Sequence, residues 1–369
     1  MKSKFFGWQM FLFIFAVVFF GCNFSDAKAG SGEEESIILM TWNVHNLFDG
    51  EDNGYEYSEY MNSSGWSQEK YLGRINSITA AVKSIEPAPD IIVFQEIESI
   101  KILEDLSRSL ADGYTWSHFA GNPEAALGLG IISRLPLSEI KVHSITTGGD
   151  TIPRPVLETM VETKEGSFVI FSCHWKSKIG GDDVTENIRR ASAKVILRRI
   201  RELWKNDENT GIIVAGDLNE NHDEFFRRGA QTICALLPDD PFCAWLSGFQ
   251  DEDKKDTAVL QKDFIVIGKN KPPFPVNFPD ETIVLYSPWV SELKNGSYYY
   301  KYNWETIDHF LLSNQFFKDT GLKYEKTLIA DNQYFTNSGG IPVSYNERTG
   351  AGLSDHLPLL LVLKKDAGL

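Results

Sequence analysis

From residue 37 onward, short apolar runs alternate with longer stretches of helical spacing. IILMTWN (37–43) and DIIVFQE (90–96) are nearly continuous apolar runs ending in polar residues, the pattern of strands covered on both faces. Between them, WSQEKYLGRINSITAAVKSI (66–85) has apolar positions at helical spacing, with Ser67 placed to cap its start and Pro87 and Pro89 beyond its end. Residues 128–137 and 140–147 predict two strands joined by a turn, and 156–175 a hairpin turning at Lys164, Glu165 and Gly166. TENIRRASAKVILRRIRELWK (185–205) predicts an amphipathic helix. GIIVAGDLNE (211–220) predicts a buried strand running into a polar loop, and 306–313 and 357–363 predict two closing strands. Residues 221–305, rich in Pro, Gly and aromatics, predict irregular structure. No break divides 37–363, so the alternation predicts one α/β domain.

The start of the chain follows another pattern. Lys2 and Lys4 precede an apolar run from Phe5 to Phe20, which ends in Gly21 and Cys22. Basic start, apolar middle and small residue form the layout of an export signal, too short for a comfortable membrane span. The Gly-Cys pair looks like a bacterial lipoprotein processing site, although Phe19 and Phe20 are bulkier than its tight form. The expected organisation is a signal over 1–21, lipidation at Cys22, a polar tether over 22–36 and a domain over 37–369. The expected location is a bacterial membrane, on its periplasmic or cell-surface face, with plain secretion as the alternative.

Composition narrows the partners. Thirty-six basic against 51 acidic residues give a formal charge of −15, which argues against coating nucleic acid or anionic lipid through overall charge but leaves room for a local basic site. Four cysteines without a CxxC pattern argue against a structural zinc site. Cys234 and Cys243 are close enough in sequence to close a short disulfide loop or to stand as two thiols; Cys173 lies within a strand as a small core residue.

The strand ends carry the chemistry. Apolar runs end in Asn43, in Gln95 and Glu96, in His174, and in Asp217 and Asn219; Asp308–His309 and Ser354–Asp355–His356 follow near the C-terminus. Loops at strand ends build the active sites of α/β sheets. Carboxylate and amide oxygens suit Mg²⁺ or Mn²⁺, and a histidine among acidic groups can move protons, a set that fits attack of water on phosphate.

TWNVHNLFD (41–49), FQEIES (94–99), SCHWKS (172–177), AGDLNE (215–220), SYYYKYNWETIDHFLLS (297–313) and LSDHLPL (353–359) resemble, in order and spacing, the endonuclease/exonuclease/phosphatase superfamily. That superfamily includes deoxyribonuclease-I-like nucleases, abasic-site endonucleases, sphingomyelinases and inositol-polyphosphate phosphatases. The resemblance covers about residues 37–363 and implies a four-layer α/β/β/α sandwich of two mixed sheets, acting as a monomer on nucleic acid or another phosphodiester with Mg²⁺ or Mn²⁺. It implies Asn43, Glu96 and Asp355 on the metal side. It implies Asp217 orienting or deprotonating the attacking water, and Asn219 and His174 meeting the phosphate. His356 is the implied catalytic histidine, oriented by Asp308. His309 varies in that family and is left out of the set.

Lys176 is an expected substrate contact and Arg189 an expected substrate contact or site support, with Lys178 and Arg190 in the same basic cluster and Arg154 a weaker candidate. A solvated helix face is the alternative for Arg189. The tyrosines at 298–302 could stack bases or simply alternate as strand packing. Substrate choice is expected in loops 48–66, 118–128, 176–186 and 221–300. A nuclease is the leading reading. The alternatives are a sphingomyelinase-like phospholipid phosphodiesterase, an inositol or sugar phosphatase, and, in another class, a non-catalytic surface binding lipoprotein.

Overall fold

The computed structural model describes residues 36–122, 125–248, 261–274 and 278–365. The expected signal, Cys22 and the tether up to residue 35 lie outside the described residues. Among those described, no helix is long and apolar enough to cross a membrane.

The first strands are β1 (Ser36–Leu47), β2 (Ile91–Ile97), β3 (Trp116–Ala120), β4 (Gly128–Ser133), β5 (Leu137–Thr147), β6 (Asp150–Thr163), β7 (Gly166–His174) and β8 (Gly211–Asp217). Then come β9 (Leu236–Pro238), β10 (Ile265–Gly268), β11 (Val284–Tyr286), β12 (Tyr298–Tyr300), β13 (Asn303–Glu305), β14 (Asp308–Leu312), β15 (Lys323–Ile329) and β16 (Leu359–Lys364). The helices are α1 (Gln68–Lys83), α2 (Ile100–Leu110), α3 (Asp182–Asn206), α4 (Glu224–Arg227) and α5 (Asp239–Ser247). One sheet has the order β15-β16-β1-β2-β4-β3, the other β5-β6-β7-β8-β14-β11-β10-β9, and β12–β13 is a separate hairpin.

Side-chain alternation explains the layers. Along β1, Ile37 and Leu39 point between the sheets, while Met40, Trp42 and Val44 point to the other side, where α1 and α2 pack. Along β7, Phe168 and Ile170 enter the same inter-sheet core, while Val169, Phe171 and Cys173 face α3. Both faces of each central strand are therefore buried, which is why these strands read as unbroken apolar runs. Each fully buried Leu, Ile or Phe contributes roughly 1.5–3 kcal/mol. The result is the expected α/β/β/α sandwich.

Ser67 caps α1, its side chain accepting from the Lys70 N–H at 3.4 Å, and β6 turns into β7 over residues 164–165 as the pattern predicts. The segment 221–305 is not irregular: β9, β10 and β11 extend the second sheet beyond β14, and α4, α5 and the β12–β13 hairpin fall within it. Cys234 and Cys243 are free thiols, so no disulfide closes that loop; the Cys234 sulfur lies 3.4 Å from the Thr232 carbonyl and 3.7 Å from the Arg228 guanidinium.

Candidate active site

Strand register assembles the polar residues. Parallel pairing of β7 with β8 sets His174 beside Asp217, and antiparallel pairing of β8 with β14 sets Asp217 beside Asp308. In the other sheet, parallel β1 and β2 set Asn43 beside Gln95, one residue before Glu96. Gly216 turns the chain just before Asp217: its φ is 137°, and a Cβ there would stand 2.0 Å from the Cys173 carbonyl oxygen, so only glycine fits.

Asn43 ties the two sheets together. Its Nδ2 donates to Glu96 at 3.1 Å and to Asp217 at 3.0 Å, while its Oδ1 accepts the His45 N–H at 3.0 Å. Asn43, expected on the metal side, here links two carboxylates through its amide nitrogen, and its oxygen keeps a second lone pair free for a cation. Glu96 also accepts the Asn46 N–H at 2.8 Å. His45, Asn46, Glu96 and Asn219 all have left-handed backbone, with φ of 56°, 55°, 61° and 51°. Such backbone is costly for residues with a Cβ, and its concentration at one place marks a site held to a required shape. Arg74 of α1, 1% exposed, holds the 44–46 turn by donating to the carbonyls of Val44, His45 and Asn46. Nothing in the spacing of its helix singles Arg74 out.

On the other side, His356 Nδ1 meets Asp308 Oδ2 at 2.9 Å, and Ser297 donates to the same oxygen at 2.6 Å. The backbone around His356 is fixed by Ser354, whose hydroxyl donates to the Asn43 carbonyl at 2.7 Å and accepts the His356 N–H at 3.0 Å. Burial alone would lower the His356 imidazole pKa, but Asp308, through charge and hydrogen bond, and then Asp355 and Asp217 raise it above its ordinary value. Burial, and next the Asp308 carboxylate, push the Asp217 carboxyl up. Asp217 Oδ1 accepts the Asn219 N–H at 2.8 Å, and the Asn219 side chain donates to the Trp175 carbonyl at 3.1 Å.

His174 Nε2 lies 3.7 Å from both Glu96 and Asp217 and 2.9 Å from the Arg154 guanidinium. Burial first, then the charges of Arg154, His356 and Lys176, hold this imidazole well below its usual pKa. An arginine N–H can only donate, so Nε2 accepts and the ring is neutral. Arg154 is therefore the cation in direct contact with this ring, and it is the β6–β7 pairing, not its local sequence, that brings it here.

Arg189 does not reach a substrate. It is fully buried, donating to Glu220 at 3.1 Å, Glu186 at 2.8 Å, the Thr185 hydroxyl at 3.0 Å and the Lys176 carbonyl at 3.1 Å. It braces the loops after β7 and β8, so of its two expected roles, substrate contact and site support, the buried hydrogen bonds fit site support. The basic cluster dissolves similarly: Lys178 pairs with Glu224 at 2.6 Å, and Arg190 with Asp263 at 2.7 Å. Lys176 turns its amine to the Ser177 and Ile179 carbonyls at 3.1 and 3.0 Å, and burial followed by Arg154 and Arg189 lowers its pKa. His309 is buried, donating from Nε2 to the Glu220 carbonyl at 2.8 Å.

The site suits a hard divalent cation. Asp217, Asp308 and His356 present ligand atoms within 4.8 Å of one another, and Glu96 converges on Asp217 through Asn43. Buried oxygens of Asp308 (Oδ1) and Asp355 (Oδ1) have no hydrogen-bond partner, the condition a cation relieves. Glu186, Glu220 and Cys234 are equally close together, but Arg189 and Arg228 already neutralise that group.

The endonuclease/exonuclease/phosphatase family model matches residues 38–231. No curated protein matches the chain by sequence. Among solved structures, D. rerio TDP2 complexed with single strand DNA product is similar at 14% identity and TM-score 0.51, covering 89% of this chain and 99% of that one. An endonuclease/exonuclease/phosphatase family protein from Bacteroides thetaiotaomicron is similar at 15% identity and TM-score 0.50, covering 90% and 96%. The human Nocturnin catalytic domain with bound sulfate anion is similar at 15% identity and TM-score 0.50, covering 89% and 93%. At these identities the likeness is one of fold.

Proposed function

The chain belongs to the endonuclease/exonuclease/phosphatase family and is a phosphoesterase, and from that premise we propose that it is a nuclease hydrolysing nucleic-acid phosphodiesters with Mg²⁺ or Mn²⁺. The observation that carries the reading is the convergence of Glu96, Asp217, Asp308 and His356 beside a half-buried cation, Arg154. Glu96, with Asp355, would hold the metal, and Asn43 would keep Glu96 and Asp217 in place. A divalent cation there supplies positive charge to a non-bridging phosphate oxygen. Asp217 and His356 orient the attacking water and handle its proton and that of the leaving oxygen, with Asp308 fixing the imidazole. Asn219 and Arg154 face the charge that grows on the phosphate. His174, neutral, positions Arg154.

A phosphodiester carries one negative charge, which suits a site with Arg154 at its centre. A polyphosphorylated inositol would need more free cations, and here Lys178 and Arg190 are paired with Glu224 and Asp263. The solved complex of TDP2 with single-stranded DNA lends support from a protein of the same fold. A second reading has its own observation: Ile179 and Val184, beside the loop after β7, are 82% and 69% exposed and would suit a lipid surface. A parallel screen of plasmid DNA, RNA, sphingomyelin and inositol phosphates in Mg²⁺ and Mn²⁺ separates the readings. Cleavage of DNA or RNA is expected. Turnover of sphingomyelin alone would transfer the site to lipid, and no turnover of any of them would favour a binding lipoprotein.

We also propose that the full chain is exported and lipid-anchored through Cys22. Metabolic labelling with a fatty acid should mark the natural chain and not Cys22→Ser; equal labelling of both would reject the anchor.

A further inference from the structure

The β12–β13 hairpin builds a column of rings on His356. The Tyr298 ring lies 4.5 Å from the His356 ring at an interplanar angle of 28°, and the Tyr300 ring lies 5.9 Å from Tyr298 at 12°. Backbone fixes the stack: Tyr298 and His356 form an antiparallel bridge, and the Leu357 N–H donates to the Ser297 carbonyl at 2.7 Å. Strand alternation places Tyr298 and Tyr300 on one side of β12, while Tyr299 packs edge-on against Trp304 at 5.0 Å on the other. Trp304 in turn leans on the core beneath the first sheet. That packing accounts for Tyr299 and Trp304. It does not account for Tyr300, which is 48% exposed at the end of the column.

The hairpin tip points the same way. Lys301 and Tyr302 occupy the two turn positions with φ of 46° and 68°. A two-residue turn with both φ values positive is the place for Asn-Gly, so a lysine and a tyrosine there are unfavourable locally. Tyr302 is 91% exposed, and the Lys301 amine stands 4.9 Å from the centre of the Tyr300 ring. Aromatic faces with an adjacent cation are the composition of a single-strand binding platform.

We propose that Tyr300 and Lys301 form a nucleotide subsite, in which a base about two nucleotides along the strand from the cleaved phosphate stacks on the Tyr300 ring and Lys301 meets a phosphate beside it. This inference rests on the nuclease reading and names the part of the substrate that the hairpin recognises. Tyr298 couples the subsite to the reaction: it is clamped between Tyr300 and His356, so a base continuing the column is held in register with the histidine. A lipid headgroup or an inositol has no aromatic face to offer, so the subsite discriminates among the substrates of this fold.

The test uses a short single-stranded oligonucleotide in which one phosphodiester is cleavable and the others are replaced by methylphosphonates except the one at the proposed Lys301 contact, which is a phosphorothioate, and a set of analogues in which one base at a time is replaced by hydrogen. The ratio of kcat/KM for the complete substrate over each analogue is measured for the natural protein and for Tyr300→Ala, Tyr300→Phe and Tyr300→Trp. For the analogue lacking a base about two nucleotides from the cut, on one side, the ratio should fall about tenfold in Tyr300→Ala and persist in the Phe and Trp variants. Ratios unchanged for every analogue in Tyr300→Ala, with the oligonucleotide still cleaved, would overturn the subsite and leave the nuclease reading intact. A natural protein that cleaves neither the oligonucleotide nor longer DNA or RNA would overturn both.

Discussion

His356→Ala is expected to lower phosphodiester turnover by about 10²- to 10⁴-fold, the range of a lost general acid or base. The size follows from how much of the structure is spent on this ring. Asp308 holds Nδ1 at 2.9 Å, Ser297 holds Asp308 at 2.6 Å, and Ser354 fixes the backbone at 3.0 Å. Asp308→Asn should give a smaller loss, because the amide keeps the shape but removes the charge that favours the imidazolium. Turnover of bis(p-nitrophenyl) phosphate, with circular dichroism as the check on folding, measures both. A His356→Ala protein that folds and turns over at the natural rate would remove His356 from the mechanism.

Removal of divalent metal is expected to abolish turnover, and Mg²⁺ or Mn²⁺ to restore it. Within the protein, Asn43→Ala should weaken metal binding by about 10- to 100-fold, the usual cost of losing a side chain that orients ligands. Its two hydrogen bonds, to Glu96 and Asp217, set carboxylates from different sheets at one distance from each other. Without Asn43 the buried Asp217 and the half-buried Glu96 lose the donor that lies between them. The metal concentration that gives half-maximal turnover reports the change directly. An unchanged value in Asn43→Ala would mean that the metal sits away from Glu96 and Asp217.

The central strands and the ends of those strands were legible because burial on both faces leaves a simple signature: an apolar run that stops at one polar residue. Asn43, Glu96, His174 and Asp217 stand out this way, Asp308 and His356 stand just ahead of the closing apolar runs, and strand register with the His356–Asp308 contact brings them together. What could not be read depends on partners far away in sequence. Strands β9, β10 and β11 are three or four residues long, too short for any period, and exist because each finds a neighbour already in the sheet. The basic residues after His174 look like one cluster along the chain. In the fold Arg189, Lys178 and Arg190 meet Glu220, Glu224 and Asp263, which lie 31, 46 and 73 residues away and cancel most of that charge. Arg154 gains its place for the opposite reason: cross-strand pairing carries it to His174, 20 residues on. Arg74 is hidden in an ordinary amphipathic helix and is recognisable only once the carbonyls of the 44–46 turn are seen above it.

Calorimetric titration of Mg²⁺ or Mn²⁺ into the natural protein, Glu96→Gln and His356→Ala, each paired with its turnover number, tests the central claim that one site holds the metal through Glu96 and acts through His356. The account predicts natural metal binding without turnover in His356→Ala, and weakened binding in Glu96→Gln with activity recovered only at high metal concentration. Full turnover of the natural protein in excess chelator, or binding heats in Glu96→Gln identical to those of the natural protein, would contradict it.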